Sequence, residues 1–269
     1  GFWDMVVQHR CTWLNVVPTM ISYLLEGDSP ARDSLAAVRF CRSASAALPP
    51  EHHRAFEERF GIGIIETMGL TETAAPVFSN PIEALHRKIG SVGRPSGCEA
   101  RVVDAEGRDL PDGQVGEIVV RGPQVMAGYY KDPEATTAAF YPGRWLRTGD
   151  LGYRDPDGFY FITGRIKELI IKGGENIAPR EVDEALLKHP AVLDAAAFGV
   201  PDRHYGQEVA ACVVLREGAT LSEEELRMFC ERELGRYKAP KAIRFVTELP
   251  RGPSGKVQRL RLVSLIGNV

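Results

Sequence analysis

Four short segments carry residues suited to phosphate and sugar chemistry. In Arg147-Thr-Gly-Asp150 a carboxylate follows a glycine turn, reads as exposed, and could accept two neighbouring hydroxyls such as those of a ribose. An aspartate that only steadies a turn has the same local sequence. Glu66-Thr-Met-Gly-Leu-Thr-Glu72 directly follows a strand-like apolar run. Ligands of open α/β sheets gather beyond the carboxyl ends of the strands. Thr71 could therefore hold a phosphate oxygen there and Glu72 could offer a hard oxygen to Mg2+, although on this segment alone a solvated loop glutamate is the better reading. Gly173 and Gly174 permit positive φ and close approach of another backbone or a slim ligand; a plain glycine hairpin is the competing reading. Lys256 lies in a basic loop near the end of the sequence, a strongly hydrated point charge suited to phosphate oxygens or simply to water.

The histidines (His9, His52, His53, His86, His189 and His204) show no ligand spacing and receive no role. Five scattered cysteines without a Cys-x-x-Cys pair indicate neither a disulfide framework nor a zinc site, and fit a reducing cytoplasm.

Elements that could position these groups fall into three stretches. Over residues 1–85, strands at Trp13–Val17, Val38–Cys41 and Ile62–Glu66 alternate with helices from Pro18 to Leu25 and from Pro50 to Phe60, a pattern of parallel α/β layers. Over 86–166, short β-rich runs (Glu99–Val103, Glu117–Arg121, Phe159–Thr163) separated by Asp/Gly turns predict a β-lobe. Over 167–269, a helix from Pro179, strands at Asp194–Val200 and Val209–Leu215, a helix capped by Ser222 with Glu225, and a strand from Lys241 to Val246 predict a small α+β domain.

With 33 basic against 36 acidic residues the net charge is -3, which gives no footprint for nucleic acid or an anionic membrane. The longest apolar runs, such as Val209 to Leu215, fall far short of the roughly 18 residues that cross a bilayer. The sequence opens without Met in ordered-looking sequence, which suggests that something upstream is missing.

Five segments in order resemble the adenylate-forming superfamily of acyl-CoA synthetases, aryl-CoA ligases, luciferases and peptide-synthetase adenylation domains. They are residues 43–49, the Gly-Leu-Thr-Glu of 69–72, 147–152, 164–177 and 254–259. The resemblance covers nearly the whole chain and implies the C-terminal half of that fold: part of the large α/β domain, its β-lobe, and a mobile C-terminal domain. It further implies ATP, Mg2+ and CoA as ligands and a small-molecule carboxylic acid as substrate. Ser45, Ala46 and Ala47 would lie along the adenine, Thr71 would contact the α-phosphate, and Glu72 the Mg2+. Asp150 and Arg165 would hold the ribose, and Lys167 would be the hinge. Lys256 would bridge the carboxylate and the α-phosphate, and Gly173, Gly174 and Glu175 would line the channel for the CoA thiol.

Two departures qualify the resemblance. Met68 stands where the family usually stacks an aromatic ring on adenine; a thioether can still pack on a purine. The family's Ser/Thr/Gly-rich phosphate loop is absent, so the 269 residues alone are expected not to support ATP–pyrophosphate exchange. Residues 42–50 and 198–202 also look like oxalate-type ligases, but Ala74 and Ala75 leave room for an apolar chain and favour a fatty or other hydrophobic acid. An adenylation enzyme serving a carrier protein and a non-catalytic binding remnant are the alternatives.

Overall fold

The computed structural model describes residues 1–252 and 255–266 and divides the chain into two compact units, Gly1–Ile162 and Thr163–Val269. Ser254, first residue of the 254–259 motif, lies outside the described residues.

The first unit begins with a parallel sheet edge. Strand Leu14–Val16 pairs with Cys41–Ser43, which pairs with Ile64–Gly69; Pro76–Ser79 and Arg94–Pro95 extend the sheet antiparallel. The parallel strands need crossovers, and helices Pro18–Glu26 and Pro50–Phe60 supply them. Each starts on a proline, whose missing N–H costs nothing in a first turn. The second helix ends on Gly61 at φ +69°, a left-handed cap that a side chain would strain. Phe56 and Phe60 on its inner face join Trp3, Leu14, Ile21 and Ile64 in one core.

A second sheet, all but the last three residues of its first strand in this unit, runs in the order Tyr160–Arg165, Trp145–Arg154, Gly116–Arg121, Glu99–Val103, with Phe140–Tyr141 beside Trp145–Arg154. Ile118, Val120, Leu146 and Tyr160 pack with Val77 and Phe78 in a separate core. The segment 147–150, read from sequence as an exposed turn, is instead part of the long strand Trp145–Arg154, and Asp150 is buried. The glycine does not end the strand. It bulges it, because the register with Gly116–Arg121 slips between Glu117 and Val119.

The second unit is an α+β domain. Its sheet runs Glu175–Ile177, Ile170–Lys172, Gly206–Leu215, Val192–Asp202, with Ala242–Phe245 parallel to Gly206–Leu215. Helices Pro179–Leu187 and Glu223–Leu234 cover the face where Val182, Leu186, Val209, Val213 and Leu226 are buried. The expected capping box is present: Ser222 Oγ accepts the Glu225 N–H at 3.2 Å and Glu225 Oε2 accepts the Ser222 N–H at 3.0 Å. Among the described residues no helix is long and apolar enough to cross a membrane.

Candidate active site

In the first unit the sheet register brings two of the sequence-predicted segments to one edge. Ser43 lies beside Glu66 in neighbouring parallel strands, so the loops that follow, 44–49 and 70–75, both leave from the carboxyl ends. Ser45 and Ala46 are exposed on the first loop, Ala47 is half-buried, and Leu48 anchors it in the core. Ser45 adopts φ +75°, an uncommon conformation for a side chain that turns the chain sharply between strand and helix.

On the second loop Thr71–Thr73 forms a short 3-10 turn. Buried Thr73 fixes it: its Oγ1 accepts the Leu70 N–H at 3.0 Å and donates within reach of the Leu70 and Ala75 carbonyls. Thr71 is thereby left exposed and Glu72 half-buried at the rim. Met68, half-buried, packs against the core of the second sheet.

Glu72 is held from two sides. Its carbonyl accepts the Met126 N–H at 2.7 Å, and its Oε1 accepts the Tyr129 hydroxyl at 2.8 Å. That hydrogen bond, with some burial, raises the Tyr129 hydroxyl above its ordinary value near 10. Among the described residues there is no cluster of three protein groups able to hold a metal ion. A lone, oriented carboxylate suits Mg2+, which keeps several waters and takes most of its remaining ligands from phosphates. Glu72 could be that carboxylate.

Asp150 sits at the bulge of the second sheet. Thr148 Oγ1 donates to the Ile118 carbonyl at 2.7 Å and accepts the Asp150 N–H at 3.1 Å. Opposite, Glu117 Oε1 accepts the Gly149 N–H at 3.2 Å, while Oε2 accepts Arg147 Nε at 3.1 Å and the Tyr141 hydroxyl at 3.3 Å. The bond to Glu117 keeps the Arg147 guanidinium above its ordinary value despite partial burial. Gly149 at φ +71° makes the bulge possible.

The remaining segments belong to the second unit. Arg165 and Lys167 are exposed, the latter in the 3-10 turn Ile166–Glu168. Gly173 and Gly174 form the two-residue turn of a hairpin in which Lys172 faces Glu175, with φ of +54° and +86° as such a turn demands. Beneath it, Lys172 is buried and donates to the Tyr237 carbonyl at 2.7 Å, and the Gly173 N–H donates to the Tyr205 carbonyl at 2.8 Å. Gly173, Gly174 and Glu175 are exposed above that support. Lys256 is exposed, with its carbonyl accepting the Gly252 N–H at 2.9 Å.

Sequence reading missed Tyr129, Glu117 and Arg42. Glu117 had a signal: a glutamate in the strand Gly-Glu-Ile-Val-Val-Arg is a charge in a buried run. Tyr129 had none, since it meets Glu72 from 57 residues away. Arg42 lies half-buried on the parallel sheet, donating Nε to Thr67 Oγ1 at 2.9 Å and Nη1 to Asn15 Oδ1 at 3.3 Å; among the described residues both of these partners are neutral.

Comparison with known proteins shows the family. The AMP-binding enzyme family matches residues 1–130, and the AMP-binding enzyme C-terminal domain matches residues 181–256. A sulfoacetate–CoA ligase of Cupriavidus necator is 67% identical over 98% of this chain and 52% of its own length. An oxalate–CoA ligase of Arabidopsis thaliana is 42% identical over 96% of this chain and 50% of its own. The crystal structure of ATP-bound MatB from Rhodopseudomonas palustris superposes with a TM-score of 0.92 at 36% identity, covering 97% of this chain and 52% of that one. The chain thus spans about half the length of the curated relatives it matches.

Proposed function

Since the chain belongs to the AMP-binding enzyme family, we propose that it supplies the C-terminal half of an acid–thiol ligase, which activates a carboxylic acid with ATP and passes the acyl group to CoA. In the first step a carboxylate oxygen of the acid attacks the α-phosphorus of ATP and pyrophosphate leaves. In the second the CoA thiol loses its proton, its sulfur attacks the acyl carbon, and AMP leaves.

The observation that carries this reading is the loop pair at the carboxyl edge of the parallel strands, where exposed Thr71 stands beside a Glu72 already oriented by Tyr129. Thr71 binds the α-phosphate and Ser45, Ala46, Ala47 and Met68 accept the adenine. Asp150 and Arg165 hold the ribose hydroxyls. Bound Mg2+ supplies neutralisation of the phosphate charge, and Glu72 is the protein oxygen that would hold it. Lys256 adds a mobile positive charge where negative charge accumulates during attack. Motion about Lys167 then withdraws it and presents the Gly173–Gly174 turn to the thiol, so that one site serves both half-reactions.

For the acid, the sulfoacetate ligase of Cupriavidus points to a short molecule bearing a second anionic group. Arg42 supports this: a guanidinium on the sheet, hydrogen-bonded to neutral Thr67 and Asn15, offers a charge for that group. The apolar acid inferred from Ala74 and Ala75 is the second reading.

The test supplies this chain with the upstream half of the Cupriavidus relative and follows ATP–pyrophosphate exchange with sulfoacetate, oxalate and a long-chain fatty acid. Sulfoacetate should support exchange, and CoA rather than a phosphopantetheinylated carrier protein should then receive the acyl group. Exchange with the fatty acid alone overturns the substrate assignment; transfer only to the carrier overturns the CoA assignment.

A further inference from the structure

Lys256 projects from a hairpin that two arginines fasten to the body of the second unit. Backbone pairing closes the hairpin: Arg251 and Val257 form an antiparallel bridge, and the Gln258 N–H donates to the Pro250 carbonyl at 2.8 Å. On the incoming side Arg251 donates Nη1 to the Gly255 carbonyl at 2.7 Å and Nη2 to the Asp194 carboxylate. On the outgoing side Arg259, three residues beyond Lys256, turns inward with only 20% of its side chain exposed. Its Nη2 donates to Asp183 Oδ2 at 2.5 Å, its Nη1 to the Ala197 carbonyl at 2.6 Å, and its Nε to Glu168 Oε2 at 3.2 Å. Asp183 is itself fixed, since its Oδ1 accepts the Ala197 N–H at 2.6 Å.

These three acceptors lie on different segments. Asp183 belongs to helix Pro179–Leu187, Ala197 to the strand Val192–Asp202 in the main core, and Glu168 follows Lys167 directly. A largely desolvated arginine–aspartate pair is a weak source of stability, because removing both charges from water offsets most of their attraction. What a planar guanidinium adds is direction: its donors keep a fixed angle, so engaging all three acceptors leaves the backbone at residue 259 little freedom.

We infer that Arg259 is a positioning residue for Lys256: by gripping Asp183, Ala197 and Glu168 it makes the Lys256 hairpin rigid with the second unit and with the residue beside Lys167. The inference rests on the reading of Lys256 and Lys167 given above. Rotation about Lys167 then delivers the lysine without slack. Displacement of a reacting group by about 1 Å can cost on the order of 100-fold in rate, which is the scale at stake.

Two measurements test this. In the chain itself, Arg259→Gln should speed hydrogen exchange at the Gly252, Gly255 and Gln258 amides at least ~10-fold, while amides paired between Val192–Asp202 and Gly206–Leu215 keep their rates. In the enzyme completed with an upstream half, the same variant should lower kcat for adenylate formation about 100-fold, leave the KM for ATP within about twofold, and spare thioester formation from supplied acyl-adenylate. Arg259→Lys should recover part of the loss, and Glu168→Gln, at the exposed end of the network, should give a smaller loss of the same pattern. Full adenylation by Arg259→Gln beside an inactive Lys256→Ala overturns this inference alone, as does equal loss of both half-reactions. An active Lys256→Ala overturns the role of Lys256 and this inference with it.

Discussion

The Glu117 carboxylate accepts the backbone N–H of Gly149, its oxygen 3.2 Å away across two antiparallel strands, and so holds the bulge that carries Asp150. Glu117 is buried, and its other oxygen takes Arg147 Nε. Glu117→Gln keeps the shape but has one acceptor oxygen where the carboxylate has two, so only one of the two bonds survives, and Arg147, half-exposed, loses its charge partner. The expected cost is about 1–2 kcal/mol, read as a lowered urea midpoint at unchanged m. If Asp150 holds the ribose, the KM for ATP in the completed enzyme should rise several-fold while the KM for CoA stays put. An unchanged midpoint would show that the bulge stands without Glu117.

A second prediction concerns pH. His53, buried on helix Pro50–Phe60, lies 3.1 Å from Glu66 Oε1 and 3.2 Å from Glu57 Oε1. Burial pushes its pKa down, but hydrogen bonds and charge from Glu57 and Glu66 together outweigh that and leave it raised above 6.5. For Glu57, burial pushes up while His53, the Ile64 N–H and Arg87 pull down, and the net is a value below 4.5. The His53 contribution to stability is therefore complete below pH 6.5 and is lost as pH rises through the raised value. The Glu57 contribution is complete above pH 4.5 and is lost as pH falls through the lowered one. Both are present together between those values. Thermal unfolding of wild type and His53→Gln should show the largest difference between pH 4.5 and 6.5, shrinking on the alkaline side. A difference that stays flat to pH 9 would mean that His53 is neutral in the folded chain.

Tyr129 gives a third. Tyr129→Phe removes the hydroxyl that orients Glu72 while the ring remains. Loss of one charge-assisted bond at a partly exposed site is worth about 1 kcal/mol, so adenylate formation at limiting Mg2+ should fall about fivefold. Saturating Mg2+ should restore most of it. A uniform loss at every Mg2+ concentration would place Tyr129 in loop stability and not in the orientation of a metal ligand.

Legibility in the sequence followed the range of the interactions. The helix Pro50–Phe60 was readable because Pro50 opens it and Gly61 closes it, and the Ser222–Glu225 cap because its partners are three residues apart. The strand expected at Val38–Cys41 forms instead at Cys41–Ser43, since pairing with Leu14–Val16 and Ile64–Gly69 decides where it starts. The bulge at Asp150 depends on Thr148 reaching Ile118, 30 residues away, and so looked like a turn. Arg259 finds Asp183 across 76 residues. The candidate motif residues stand in short local patterns; of the groups that hold them, Glu117 showed only as a charge in a buried run, and Tyr129, 57 residues from Glu72, left no local signature.

Arg42 carries the last prediction, because it separates two kinds of acid. If its guanidinium meets a second anionic group, Arg42→Met should lower kcat/KM for sulfoacetate in the completed enzyme by on the order of 100-fold, about the worth of a bond between charged partners in a partly desolvated site. An apolar acid of similar length, such as butyrate, has nothing for that charge to bind and should lose little or gain. The ratio of the two activities is the informative quantity, since Arg42 also braces Thr67 and Asn15 and any loosening of the sheet lowers both alike. Arg42→Lys keeps the charge but cannot reach Thr67 and Asn15 with the same fork. It should therefore retain part of the preference for sulfoacetate at reduced stability. Equal losses for both acids in Arg42→Met would assign Arg42 to the sheet alone and remove the structural support for a dianionic substrate.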